Sequence, residues 1–192
     1  MNKNVVIVSF SGRKSGNCAE IAKIIEQFHI RTNVQMFNVV ELDIHACGEC
    51  NYECLKPGEI CPNVTEEQQT LMDALCKADM AYFIVPNYCG YPSANYFAFH
   101  ERSVGYFNLD REKQAKYQSV PKRFIIVSNT EGNQFESAMQ QHTSVKPEIL
   151  YLKTRKYQKQ SIAGDLMTSE QAQTDLLEFL QRSLSNTCSY YK

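Results

Sequence analysis

Tryptophan is absent from this 192-residue chain, and no apolar run approaches the length of a bilayer span. The longest runs, Val5 to Phe10 and Met80 to Pro86, have the length of strands. A transmembrane helix is therefore excluded, and 43% apolar with 21% charged residues excludes wholesale disorder. Charge of one sign is also lacking. Twenty Lys and Arg against 21 Asp and Glu leave a net charge of -1, so no global field draws the chain to nucleic acid or to an anionic membrane. Partners are expected among small molecules and proteins. The N-terminus runs from Met1-Asn2-Lys3-Asn4 straight into Val5-Val6-Ile7-Val8, without the apolar stretch and cleavage site of a signal peptide, which points to the cytoplasm. No internal repeat or low-complexity linker interrupts the sequence, and the length suits one domain over 1–192.

Cysteine, by contrast, is plentiful. There are 8, and four of them (Cys47, Cys50, Cys54 and Cys61) fall in one loop at about 45–63. In a reducing compartment, clustered thiols more often bind metal or do redox work than build a disulfide scaffold.

Val5 to Phe10 is a continuous apolar run, as a strand buried on both faces requires. After Ser11-Gly12-Arg13-Lys14-Ser15-Gly16, Asn17 with Glu20 is placed to cap a helix whose apolar stripe is Ile21, Ile24, Ile25 and Phe28. Val34 to Val40 reads as the second strand. Thr65 with Gln68 opens a helix carrying Leu71, Met72, Leu75 and Cys76, and Met80 to Val85 is the third strand. Pro86 to Pro92 reads as a loop, Ser93 to about Phe107 as a helix, Asp110 to Lys122 as a polar connection, and Arg123 to Ser128 as the fourth strand. A loop from Asn129 to Gln134, a short helix to about Gln141 and a strand from Ile149 to Lys153 follow. Thr168 with Gln171 then caps a last helix bearing Leu176, Leu177, Leu180 and Leu184.

Five strands alternating with five helices imply an α/β fold with a parallel sheet and helices on both faces, because parallel strands need crossover connections. Five strands in this length fit the flavodoxin-like order 2-1-3-4-5 better than the six-stranded dinucleotide fold. In such a sheet the ligand lies beyond the carboxyl ends of the strands at the switch point. The segments of interest are therefore Ser11 to Cys18, Pro86 to Pro92 and Asn129 to Asn133.

The first of these joins a strand to a helix N-terminus, where unpaired N–H groups and the dipole favour an anion. Ser11, Ser15 and Asn17 add neutral donors, Arg13 and Lys14 add positive charge, and Gly12 and Gly16 permit close backbone approach. A phosphate monoester suits this set better than a carboxylate; an ordinary turn with solvated Arg and Lys is the alternative.

Phe10 to Cys18 resembles the G-S-x-R-x-x-[GS]-N-T phosphate loop of NADPH-dependent FMN reductases and iron-sulfur flavoproteins. Pro86-Asn87-Tyr88-Cys89-Gly90-Tyr91-Pro92-Ser93-Ala94, followed by Phe97 and Glu101-Arg102, is similar to their P-x-Y-x-G-x-x-S-A loop and the helix ending in D-R. The resemblance covers about residues 4 to 135 and implies a flavodoxin-like, FMN-dependent NAD(P)H oxidoreductase acting on a small acceptor such as a quinone or free flavin. It implies phosphate contacts from Ser11, Arg13, Ser15, Gly16, Asn17 and Cys18. It sets Pro86, Asn87, Tyr88, Cys89 and Gly90 against the flavin ring, with Asn129, Thr130, Glu131 and Gly132 on the ring's other side by position. No catalytic side chain is expected, because the flavin carries the chemistry. The resemblance also implies a homodimer or dimer of dimers in which the second subunit covers the flavin, and admits a redox protein as partner. Phe10 in place of glycine and Cys18 in place of threonine depart from the family pattern.

The spacing Cys47-x2-Cys50-x3-Cys54-x6-Cys61 offers four soft ligands for zinc or a [4Fe-4S] cluster, with free or redox-active thiols as the other reading. The iron-sulfur flavoproteins carry C-x2-C-x2-C and a later fourth Cys, so the second gap here is one residue longer. Two other functions stay open at this point: a carrier with FMN and a [4Fe-4S] cluster, and a flavin-free zinc-binding domain. His45 near the loop reads as a solvated histidine. His29, at a helix end, reads as a structural residue whose charge suits the dipole. His100 reads as a core or surface residue, and the basic stretch Lys153, Arg155, Lys156 and Lys159 as a solvated face.

Overall fold

The computed structural model of the chain describes residues 3–129, 138–139, 142–144 and 146–186. Among them are the strands β1 (Asn4–Ser9), β2 (Asn33–Asn38), β3 (Met80–Tyr88), β4 (Tyr91–Pro92), β5 (Lys122–Ser128) and β6 (Glu148–Lys153). All but β4 are parallel, in the order β2-β1-β3-β5-β6, and β4 pairs antiparallel with β3. For the long strands this is the order expected from the sequence. The helices are α1 (Asn17–Phe28), α2 (Glu66–Lys77), α3 (Ala94–Phe107), α4 (Arg111–Ser119) and α5 (Glu170–Asn186).

Strand alternation builds two cores. Val6, Val8 and Phe10 face one side and pack with Phe83, Phe124, the apolar faces of α2 and α3, and Tyr117 of α4. Val5 and Ile7 face the other side, with Ile84, Ile125, Ile21 and Ile25 of α1, and Leu176 and Leu180 of α5. Central strands buried on both faces are what make Val5 to Phe10 read as an unbroken apolar run.

Several boundaries differ from expectation. β2 stops at Asn38, and Val39–Glu41 forms a 3-10 turn, because β1 ends at Ser9, the partner of Asn38. β3 runs on through Pro86 to Tyr88, so the expected loop is a hairpin instead. Its turn residues Cys89 (φ 53) and Gly90 (φ 91) are both left-handed, as a tight type I′ connection requires. Pro86 is tolerated because the β1 side of β3 is paired only to Ile84, leaving Pro86 a ladder partner in β5 alone.

The polar connection before β5 contains the helix α4, whose one buried residue, Tyr117, gives no apolar stripe to read. β5 also starts one residue early, at a buried Lys122. α5 begins at Glu170, and Ser169 Oγ rather than Thr168 meets the helix, accepting from Ala172 N at 3.4 Å. Leu177 is exposed while Phe179 takes a core position, and Leu184 lies outside the residues whose side chains are described. The expected helix to about Gln141 likewise lies mostly outside the described residues.

Candidate functional site

β1 turns into its loop at Phe10, whose amide still bonds Ile84 O at 2.9 Å. The Phe10 ring is fully buried, edge-on to Phe83, Tyr96 and Phe99 at centroid distances of 5.2, 5.2 and 5.4 Å. It fills the core beneath the loop and points away from the cleft, so this departure from the family pattern leaves the loop backbone intact. α3 holds the loop from the side: Ser93 Oγ donates to Phe10 O at 2.8 Å and Asn95 Nδ2 to Ser11 O at 3.2 Å. Ser11 Oγ accepts from Arg13 N at 3.0 Å, which folds the loop tightly toward α1.

Nine of the residues singled out in the sequence, Ser11, Arg13, Ser15, Asn17, Cys18, Pro86, Asn87, Tyr88 and Asn129, line one cleft of about 290 Å³ at the carboxyl ends of β1, β3 and β5. Asn87 Nδ2 donates to Ser128 Oγ at 2.7 Å, tying the ends of β3 and β5 into a fixed floor. Tyr88 is exposed at the mouth. Gly16 backs the loop at φ 110, and Cys89 and Gly90 form the hairpin turn outside the lining. Thr130, Glu131 and Gly132 lie outside the described residues. A larger hollow of about 460 Å³, lined by Asp73, Tyr106 and Lys113, lies away from the strand ends and has none of these donors.

Asn17 does not cap α1. Gly16 is the N-cap residue, with no side-chain cap bond. The Asn17 amide instead donates to Ser161 O at 3.2 Å and accepts from Leu166 N at 2.9 Å. Ser161, Ile162 and Val127 complete the lining, and nothing in the sequence pattern pointed to them. Cys18 is buried, and that burial pushes its thiol up to about 12, with the Ser11 hydroxyl and the Arg13 charge pulling weakly the other way. It is therefore a neutral thiol at the cleft wall. The resulting cleft has an anion-favouring end, with Ser11, Ser15, the Arg13 guanidinium and the first turn of α1, and a flatter end at Pro86, Asn87 and Tyr88.

The cysteine loop seats against α3. Cys47 N donates to Glu101 Oε2 at 3.2 Å, and Arg102 Nη1 to Cys61 Sγ at 4.0 Å. Gly105 makes room for that sulfur, since a Cβ there would stand 2.9 Å from Cys61 Sγ. Cys61 is buried, Cys50 and Cys54 half-buried and Cys47 exposed. Burial raises the Cys54 thiol, and negative charge on Cys61, Cys50 and Cys47 raises it further. Among the described residues no group of three or more Cys, His, Asp or Glu is arranged to hold a metal ion. His45 pairs with Asp43 at 2.6 Å on the surface.

His29 differs from expectation. It is buried, with Nε2 2.9 Å from Tyr82 Oη, and burial together with the charges of Arg123 and Lys3 lowers its pKa. It therefore serves as a neutral core partner, not as a charge at the end of α1. His100 packs on α3 with its ring 4.7 Å from that of His142. In the basic stretch, Lys156 pairs with Asp175 at 2.5 Å and Lys159 with Asp165 at 3.5 Å, so both lysines bind to neighbouring elements.

No protein-family model and no curated protein sequence matches the chain. Solved structures do. The Trp repressor binding protein from Bacillus subtilis superposes with a TM-score of 0.61 at 13% identity, covering 93% of this chain and 97% of its own. The fold is flavodoxin-like. FerB, a flavoenzyme NAD(P)H:acceptor oxidoreductase from Paracoccus denitrificans, gives 0.56 at 15% identity over 93% and 96% of the two chains. The apo form of EMOB, an NADH:FMN oxidoreductase, gives 0.55 at 12% identity over 93% and 88%. Among the described residues no helix is long and apolar enough to cross a membrane.

Proposed function

We propose that this flavodoxin-like chain binds FMN in the cleft at the carboxyl ends of β1, β3 and β5 and acts as an NAD(P)H-dependent oxidoreductase on a small acceptor. The observation that carries this reading is the convergence of nine sequence-predicted residues on that one cleft. The residues fit the group. Ser11, Ser15, Arg13 and the N-terminal amides of α1 are the donor set a phosphate monoester needs, and a Cβ on Gly12 would meet nothing within 4 Å, so the loop is open to a close approach. Pro86, Asn87 and Tyr88 offer a flat wall for a ring system. FerB and EMOB, both described as NAD(P)H or NADH oxidoreductases and the latter acting on FMN, lend support through a shared fold.

When bound, FMN supplies the redox chemistry, accepting hydride from the nicotinamide and releasing electrons to the acceptor. The chain's own residues bind and orient. Arg13 anchors the phosphate end, and the Asn87–Ser128 bond holds the ring wall still. Cys18 keeps its proton at neutral pH, so it adds no negative charge beside the phosphate. No acid or base is required of the protein. A second copy of the chain covering the cleft is part of the proposal, supported by the exposed side chains of Tyr88 and Ile162 in its lining.

The test is anaerobic. FMN is added to the purified protein, excess is removed, and NADPH or NADH is added to the retained complex. The expected result is a yellow protein whose flavin bands bleach within the mixing time of a stopped-flow or manual assay. Retained flavin that stays oxidised with both nucleotides would remove the NAD(P)H assignment.

A further inference from the structure

Three residues of the first loop share one neighbour, the chain between Gln158 and Leu166 that follows β6. Arg13 Nη1 donates to Ile162 O at 3.0 Å, and the Asn17 amide clasps Ser161 O and Leu166 N at 3.2 and 2.9 Å. Gly16 and Gly164 meet backbone to backbone, both at positive φ (110 and 74); a Cβ on Gly164 would stand 3.2 Å from Gly16 Cα. The strap is thus fastened along the phosphate-facing loop, and Ser161 and Ile162 line the cleft beside Ser11 and Ser15.

The Ser161 hydroxyl has a defined direction. Its side-chain partner is Thr154 Oγ1 at 3.2 Å, and Thr154 is fully buried with no other side-chain bond among the described residues. A buried hydroxyl must place its proton on an acceptor. Thr154 therefore donates to Ser161 Oγ, since the reverse sense would leave the Thr154 proton with no acceptor. The Ser161 proton is then left for an acceptor in the cleft that Ser161 half-faces.

We propose that the strap of residues 158–165 is a fourth wall of the phosphate site, and that Ser161, backed by Thr154, donates a hydrogen bond to the phosphate of the bound nucleotide. The proposal rests on the FMN reading of the cleft. Arg13 then has two duties, one N–H on the strap carbonyl and the remainder for the anion.

The experiment is equilibrium titration of the full chain with FMN and with riboflavin, which carries the same ring without phosphate, followed by quenching of flavin fluorescence. Ser161→Ala is expected to weaken FMN binding about tenfold, the loss of one hydrogen bond to a charged group, and to leave riboflavin binding unchanged. Ser161→Thr keeps the hydroxyl and is expected to retain wild-type affinity for FMN. The backbone clasp through Ser161 O is untouched by either change, and circular dichroism checks that both variants fold. Unaltered FMN affinity in Ser161→Ala, or an equal loss for FMN and riboflavin, would overturn the proposal while leaving the FMN site standing. Absence of FMN binding by the wild type would overturn both.

Discussion

Lys122 opens β5 from a fully enclosed position, with Nζ donating to Tyr117 O at 2.5 Å and Val120 O at 3.1 Å and lying 4.0 Å from the Tyr117 ring centroid. Burial lowers its pKa from 10.5 to about 7, outweighing a small rise from Cys76. The folded state therefore binds fewer protons than the unfolded state between about pH 7 and 10.5, and this residue makes stability rise with pH across that window. Lys122→Met removes the effect. The wild type should gain about 2 kcal/mol relative to this variant between pH 7 and pH 9, read from urea unfolding at each pH. A constant difference would show a lysine that stays charged when folded. Composition gave no hint of this residue, because a lysine flanking a strand reads as solvated. The donors of Ser11 to Ser15 were legible for the opposite reason: a polar, glycine-containing turn between a buried strand and an amphipathic helix has few other uses. Asn17 shows the limit. Its position at the helix start reads as a cap, and only the tertiary fold reveals that Ser161 and Leu166 occupy its amide.

The elements best read from sequence are those that bury a regular face. α1 and α2 carried apolar stripes and were found, with Thr65 capping α2 by accepting from Gln68 N at 3.2 Å. α4 carried none, and its start is set by Asp110, whose Oδ1 accepts from Lys113 N at 2.9 Å. Asp110→Ala should cost about 1 kcal/mol in denaturant unfolding, and Asp110→Asn much less, because either side chain caps. Equal losses would point to charge as the cause. β5, β6 and α5 are joined by Arg123, which is buried. Its Nη2 lies 2.6 Å from Glu148 Oε2 and also donates to Phe179 O, while Nη1 reaches Leu180 O at 3.4 Å. The guanidinium also stacks 3.9 Å from the Phe179 ring centroid. Arg123→Ala removes all of these at once and should destabilise by roughly 2–4 kcal/mol in urea unfolding, discounted from a fully buried pair because Glu148 is partly exposed. A loss under about 1 kcal/mol would contradict this role.

For the molecule as a whole, the sheet order and both cores followed from a few apolar runs and their spacing, because parallel strands with helical crossovers leave few topologies. The cleft at the switch point followed in turn. What the sequence did not disclose is the part built from long-range contacts: the strap after β6, the seat of the cysteine loop on α3, and the neutral histidines. His29 and His142 are both buried, and burial lowers both pKa values below the usual 6.5. The unfolded chain then binds more protons below about pH 6.5, so the contribution of these two histidines to stability is complete above that pH and is lost as acid is added. His29→Gln, which can still bond Tyr82, should flatten the loss in thermal midpoint between pH 6.5 and 5; an unchanged slope would assign the acid sensitivity elsewhere.

The most direct measurement is the equilibrium affinity for FMN of the wild type and of Arg13→Ala, read by flavin fluorescence. One FMN per chain, with the variant bound at least about tenfold more weakly, is the expected result. A wild type that binds no FMN, or a variant that binds it equally well, would contradict a phosphate site in the loop from Ser11 to Cys18.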